Sequence, residues 1–187
     1  MCMRNVIMAL LTFVSLSVFW SSEAADQNER THAYGLGQPA TDQDIQQWNI
    51  DVAPTGEGLP PGRGSVKQGA IIFAARCASC HGPTGQEGPM DRLVGGVGTL
   101  GSQKPVKTIG SYWPYATTLY DYVRRAMPFS APQSLSPDEV YSVVAWLLHQ
   151  NGILADDSIL DAQSLAAIRM PNRNGFVPDP RPDVPKN

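Results

Sequence analysis

Residues 73–85 read FAARCASCHGPTG and contain two cysteines separated by two residues, with a histidine directly after the second. Two thiols at this spacing lie close together on one turn of chain, so both can add to the vinyl groups of one haem. The next residue, His81, is then carried beneath the ring and can bind the iron from the proximal side. The spacing Cys77-x-x-Cys80-His81 therefore predicts one covalently attached haem c.

Two other uses of such a motif, a zinc site and a redox-active disulfide, fit the chain less well. A structural zinc site needs further nitrogen or sulfur ligands. Outside the motif the mature chain offers only two imidazoles, those of His32 and His149, and no further cysteine. A thioredoxin-like motif is expected near a strand and helix pattern, whereas this one follows a predicted helix and leads into glycines. The haem interpretation is preferred over both.

The N-terminus is typical of a secretory signal peptide. Arg4 is followed by an uncharged run from Val6 to Trp20, and the small residues Ser22 and Ala24 come next. This pattern predicts cleavage near Ala24 and export to the periplasm. Because the apolar run has only 15 residues, fewer than the ~20 that cross a bilayer, we expect no stable membrane span after cleavage.

Composition divides the chain into four zones. The predicted signal peptide (1–24) is followed by an N-terminal extension (25–64) that is rich in proline and glycine. Residues 65–152 carry the strong helical patterns, and residues 153–187 form a C-terminal extension that ends in a proline-rich stretch. The net charge of −3 argues against a nucleic-acid partner.

Three helices are predicted in the central zone. The first runs from Ser65 to Cys77 and the second from Tyr115 to Ala126, before a proline that ends it. The third begins after Ser136, which forms a capping box with Glu139, and Gly152 is placed to end it in a left-handed conformation. In the N-terminal extension, TDQDIQQWNI predicts one short helical turn.

A second axial ligand for the iron is expected far downstream of the motif. Met127 is the preferred candidate, because it ends the second helix and begins a loop before the third, and a thioether raises the reduction potential of the haem. The main rival is Met170, which is also followed by proline. Met90, His149 and His32 are weaker candidates.

Three residues have predicted supporting roles. The carbonyl of Pro89 lies where a loop must turn beneath His81 and is predicted to accept the Nδ1 hydrogen bond that fixes the ring. Tyr112 and Trp113 are predicted to wall the haem pocket and to donate to its propionates. The alternative for these two residues is that they are ordinary core aromatics.

Residues 65–152 resemble a class I cytochrome c. A helix leads into CxxCHG, a Gly-Pro loop follows, and a Met-Pro pair precedes a capped helix that contains VVAWLL. The resemblance implies an all-α fold with three to four main helices around one covalent haem, flanked here by extended N- and C-terminal arms. It also implies that Gly69 and Phe73 of the first helix cross Val143 and Trp146 of the last.

A longer resemblance covers most of the mature chain. The stretches QPATDQDIQQWNIDVAPTGEGLPPGRGSVKQG, TIGSYWPYATTLYDYVRRAMPFSAPQSL and MPNRNGFVPDPRPDV are similar to the cytochrome subunit of the Sox sulfur dehydrogenase, the SoxD-like family. This resemblance implies an electron-transfer subunit that accepts electrons from a molybdenum-cofactor partner, SoxC-like, which oxidises sulfur or sulfite. The electrons are expected to pass on to another cytochrome c. The single CxxCH implies the single-haem form, and both arms are expected to contact the molybdenum subunit.

Two alternative functions remain at this point. One is a freely diffusing cytochrome c that serves no dedicated dehydrogenase. The other is a haem enzyme or a gas-binding protein with an open distal position. A methionine in the sixth position of the iron argues against the second alternative, because it leaves no site for a small ligand.

Overall fold

The computed structural model describes residues 36–183, so the predicted signal peptide and His32 lie outside the described residues. The chain divides into two compact units, the first ending at Trp48 and the second beginning at Asn49. In the first unit, helix α1 spans Asp42–Trp48, and none of its residues is buried. Its N-terminus is capped by Thr41, whose hydroxyl accepts a hydrogen bond from the Asp44 amide at 3.2 Å. This confirms the short helical turn predicted there.

The second unit is helical, with one small sheet. Its elements, in chain order, are β1 (Arg63–Ser65), α2 (Val66–Arg76), α3 (Ala78–His81), α4 (Ala116–Ala126), α5 (Pro137–Gln150), β2 (Ile159–Asp161) and α6 (Ala162–Ala167). The helical character predicted from the sequence is confirmed. The sheet and α6 were not predicted.

Helices α2 and α5 cross closely and form the centre of the core. A Cβ atom on Gly69 would lie only 1.9 Å from the carbonyl oxygen of Ser142, so the two backbones come together where no side chain separates them. Beside this point the rings of Phe73 and Trp146 stack with their centroids 4.0 Å apart. The predicted crossing of the first and last main helices is therefore present.

Local caps fix the start of α2 and both ends of α5. Ser65 accepts a hydrogen bond from the Gln68 amide at the start of α2. Ser136 and Glu139 form the predicted capping box at the start of α5. Gly152, just after α5, has a φ of 72°, which is the left-handed conformation expected of a helix terminator.

The small sheet joins the chain before α2 to the chain after α5. Strands β1 and β2 are antiparallel, and Arg63 lies opposite Asp161. Leu160 of β2 and Leu165 of α6 are both buried in the main core. The part of the chain that follows α5 therefore completes the core of this unit.

Residues 50–54 are held against α4 by hydrogen bonds to their backbone. The Asp121 carboxylate accepts from the Val52 amide at 2.8 Å, and the Arg124 guanidinium donates to the Ile50 carbonyl at 2.9 Å. The Thr117 hydroxyl donates to the Pro54 carbonyl at 3.0 Å. Val52 itself is buried in the core. This irregular segment is therefore packed onto the helices.

Residues 60–63 are held in the same way against α5. The Tyr141 hydroxyl donates to the Pro60 carbonyl at 2.9 Å, and the Asp138 carboxylate accepts from the Arg63 amide at 2.8 Å.

Between residues 36 and 183, no helix is both long and apolar enough to span a bilayer.

Candidate functional site

The motif Cys77–His81 forms a single helical turn directly after α2. The amides of Cys80 and His81 both donate to the Cys77 carbonyl, at 3.1 and 3.0 Å. The turn places Cys77, Cys80 and His81 on one short stretch of helical backbone. Cys77 is half-buried against the core, and Cys80 is exposed.

The loop after this turn folds back beneath it. The Met90 amide donates to the Cys80 carbonyl at 3.0 Å. Gly88 permits this approach, because a Cβ atom there would lie 2.0 Å from the same carbonyl oxygen. The loop is therefore held against the CxxCH turn by main-chain contact.

His81 is oriented by a backbone carbonyl of this loop. Its Nδ1 atom lies 3.0 Å from the carbonyl oxygen of Asp91. A carbonyl oxygen only accepts, so Nδ1 carries the proton and Nε2 keeps its lone pair free for a metal. The sequence predicts Pro89 as the acceptor, and the structure instead has the carbonyl of Asp91 within hydrogen-bond distance of the ring. No sequence signal marks Asp91, since every residue type supplies a carbonyl.

Burial affects the chemistry of the first thiol. Removal from water raises the pKa of the Cys77 thiol to about 11, although the nearby Arg76 charge lowers it in part. The thiol, while free, is therefore protonated at neutral pH.

The donor set of this turn fits a c-type haem. Two thiols on one turn can form two thioether bonds to one porphyrin, and an imidazole with Nδ1 already engaged presents Nε2 as a ligand. His149 is engaged separately, because its Nδ1 lies 2.9 Å from the Leu154 carbonyl just after the C-terminal end of α5. His81 is the histidine that the motif itself provides.

The two methionine candidates lie in different surroundings. Met127 follows the last residue of α4, donates its amide to the Val123 carbonyl at 3.1 Å, and is half-buried against the core. Met170 lies inside the core, with 1% of its surface exposed. Met90 is 59% exposed on the loop beneath the CxxCH turn.

The predicted aromatic residues Tyr112 and Trp113 lie in the loop that precedes α4. Trp113 packs against the core and meets Tyr122 edge to face, with centroids 5.8 Å apart. Tyr112 meets Phe176 in the same manner at 5.2 Å. Sequence reasoning missed the contacts that the C-terminal residues make with this loop.

Comparison with known proteins is informative at this point. Residues 64–147 match the family model described as cytochrome c oxidase, cbb3-type, subunit III. The chain is 47% identical to a chain in the crystal structure of the sulfane dehydrogenase SoxCD from Paracoccus pantotrophus, with a TM-score of 0.74 over 79% of this chain and 73% of that one. The chain belongs to the SoxD-like family of c-type cytochromes. No curated protein matches it.

Membership of the SoxD-like family indicates the function that the CxxCH turn serves. The comparisons indicate a c-type haem and an electron-transfer role for the chain, and the Cys77–His81 turn is the candidate site for that haem. The Asp91 carbonyl accepts the hydrogen bond that orients His81, the histidine of this turn.

Proposed function

We propose that the chain is a periplasmic cytochrome c of class I with one haem, in which Cys77 and Cys80 hold the haem by thioether bonds. His81 and Met127 are its axial ligands. The observation that carries this proposal is the helical turn Cys77–His81, with His81 Nδ1 engaged by the Asp91 carbonyl and Nε2 left free. When bound, the haem supplies a site for one electron that is gained and lost reversibly.

The residues of the chain set the conditions for this electron transfer. His81 is held in one tautomer by Asp91, so its ring does not need to reorient between redox states. Met127 provides a neutral, soft ligand that favours ferrous iron over ferric iron. Tyr112 and Trp113 would shield a bound haem from water.

The proposed electron donor is a molybdenum-cofactor dehydrogenase subunit, SoxC-like, that oxidises sulfane sulfur or sulfite. The support is the 47% identity to a chain in the SoxCD crystal structure, over most of both chains. The N- and C-terminal extensions contribute to binding this partner. Each two-electron oxidation by the partner then requires two successive reductions of the haem, and another cytochrome c accepts each electron.

The partner is tested by purifying the tagged, haem-loaded protein from its native periplasm and assaying molybdenum in the eluate. About one molybdenum per haem is expected. A matched purification with the Cys77→Ala/Cys80→Ala variant shows whether capture requires haem. A pure cytochrome without molybdenum at low salt would refute the partner and favour a freely diffusing carrier. N-terminal sequencing of the same sample tests cleavage near Ala24.

The sixth ligand is tested with three methionine variants. In Met127→Ala the iron loses its distal ligand, so the ferrous protein should bind carbon monoxide rapidly and completely, unlike the wild type. Met90→Ala is the matched control and should behave as the wild type, because Met90 is exposed on the proximal loop. Met170→Ala should lower the free energy of unfolding by about 2–5 kcal/mol without opening the iron. Carbon monoxide binding by Met170→Ala alone would assign the ligand to Met170.

A further inference from the structure

The long connection between His81 and α4 depends on contacts from elsewhere in the fold. Residues 82–115, all of which the structure describes, contain no helix and no strand. Connections of this length without regular structure are uncommon in compact domains and are usually functional. Their conformation is specified by non-covalent contacts, which form an inner and an outer group.

The inner group joins the loop beneath the CxxCH turn to the loop that precedes α4. The Leu93 carbonyl, two residues after Asp91, accepts from the Ile109 amide at 3.2 Å. The Tyr112 amide in turn donates to the Thr108 carbonyl at 3.0 Å. Backbone hydrogen bonds therefore connect the residue that orients the haem-binding histidine with the aromatic loop, defined here as residues 112–115.

The outer group comes from the C-terminal clamp, defined here as residues 170–176 with the sequence MPNRNGF. Its first residue, Met170, is anchored in the core. The chain then turns twice, since the Arg173 amide donates to the Met170 carbonyl and the Gly175 amide to the Asn172 carbonyl, both at 3.1 Å. The clamp is therefore a compact turn with a buried root.

The clamp holds the aromatic loop at three points. The Asn172 side-chain amide donates to the Tyr112 carbonyl at 2.7 Å. The Phe176 ring meets the Tyr112 ring edge to face at 5.2 Å. The Arg173 guanidinium stacks over the Tyr115 ring, 3.9 Å from its centroid. A hydrogen bond, an aromatic contact and a cation–π contact thus act on two residues of one loop.

We propose that the C-terminal clamp is a positioning element of the haem site, which acts through the aromatic loop to raise the reduction potential. The proposal rests on the haem-binding part of the proposed function. Water at a haem stabilises the more positively charged ferric state, so a wall that excludes water favours the ferrous state. The clamp residues do not need to contact the haem themselves, because they fix the aromatic loop that is proposed to shield it.

The test compares variants of the full-length, haem-loaded cytochrome, isolated without a partner. Asn172→Ala removes the hydrogen bond to the loop, and Arg173→Lys keeps the charge but removes the planar stack on Tyr115. The matched control is Asn174→Ala, because Asn174 lies in the same turn, is exposed and makes no side-chain hydrogen bond with the described residues. The readouts are the midpoint potential and the hydrogen exchange of residues 108–116.

Asn172→Ala and Arg173→Lys should each lower the equilibrium constant for haem reduction about fivefold, ~40 mV for a one-electron couple at 59 mV per tenfold. Amide exchange in residues 108–116 should become faster in both, and Asn174→Ala should change neither readout. An unchanged potential in both variants, or an equal shift in Asn174→Ala, would overturn the proposal. A failure to recover molybdenum refutes only the proposed partner, since these measurements use the isolated cytochrome.

Discussion

At the scale of the residue, Asp121 is the charged group most closely tied to the fold. Its Oδ1 atom accepts from the Val52 amide and from Arg125 Nε, both at 2.8 Å, and its Oδ2 atom pairs with the same guanidinium. Burial alone would raise the pKa of this carboxyl, but the hydrogen bonds from Arg125 and Val52 hold it below its usual value. The ionised form is therefore the one that the fold stabilises.

Replacing Asp121 by Asn should lower the free energy of unfolding at pH 7 by about 1–3 kcal/mol, because the paired charge is lost. The contribution of a carboxyl with a lowered pKa is complete above its unfolded-state pKa of ~3.9 and disappears as the pH falls through the folded-state value. The difference between wild type and variant should thus shrink on going from pH 7 to pH 3. Urea unfolding at both values measures it.

The control for this prediction is Asp179→Asn. Asp179 is paired with Arg181 at the surface, and the pKa of its carboxyl is also lowered, chiefly by hydrogen bonds from that arginine. A pair that is fully exposed to water is screened and contributes little to stability, so this variant should unfold nearly as the wild type does. An equal loss in both variants would show that the buried position of Asp121 has no special effect.

The sequence identifies some residues of the site and not others, for a chemical reason. Cys77, Cys80 and His81 are recognisable because the proposed attachment to one porphyrin requires both these residue types and this spacing. Asp91 acts through its carbonyl, which carries no residue-specific signal. Asn172 acts on a residue 60 positions away, and such a contact is decided by tertiary packing.

At the scale of the element, the crossing of α2 and α5 depends on one missing side chain. Gly69 lies where the two backbones meet, and a methyl group there would overlap the Ser142 carbonyl, at 1.9 Å. Alanine would raise helix propensity by about 1 kcal/mol. The overlap forces the helices apart, which separates the Phe73 and Trp146 rings and outweighs that gain.

Gly69→Ala should therefore lower the free energy of unfolding by about 2 kcal/mol, within the ~1–3 kcal/mol typical of overpacked cores. Gly101→Ala is the matched control, because no atom lies within 4 Å of the position its methyl group would take. Thermal unfolding of the two haem-loaded variants measures the difference. Similar melting temperatures would contradict the role of Gly69 in the crossing.

The main helices were predictable from the sequence because their ends are local. Ser136, Glu139 and Gly152 act within one turn of α5, so the sequence contains the whole signal. Strands β1 and β2 have three residues each, and each forms only by pairing with the other. The two strands are far apart in the sequence, because β1 precedes the main helices and β2 follows them. Helix α6 has six residues and a cap made by Asp161 and Ser164. It is too short to show the repeated apolar spacing by which a helix is recognised in a sequence.

At the scale of the whole molecule, the N-terminal extension contains two parts with different surroundings. Helix α1 belongs to the first compact unit and has no buried residue. Residues 50–63 belong to the second unit and are fixed to α4 and α5 through their backbone. Composition gave both parts the same proline- and glycine-rich character, so only tertiary contacts distinguish them.

Two deletions separate the contribution of this extension to folding from its contribution to partner binding. Removal of residues 26–48 should leave the free energy of unfolding unchanged and weaken binding to the molybdenum subunit. Removal of residues 26–60 should in addition destabilise the domain by about 3 kcal/mol or more, because it takes the buried Val52 and its hydrogen bond from the core. Urea unfolding and surface-immobilised binding measure the two effects.

Two outcomes would contradict the predictions for these deletions. Equal partner affinity for the full chain and for the chain without residues 26–48 would remove α1 from the interface. Equal stability of the two shortened chains would show that residues 49–60 contribute nothing to the core.

The antiparallel pairing of β1 and β2 determines how the domain responds to mechanical load. The chain enters at Arg63 and leaves at Asp161, which lie opposite one another at the same end of the two-stranded ribbon. Tension between the flanking segments therefore breaks the ribbon's hydrogen bonds one after another, as in unzipping, and not together in shear.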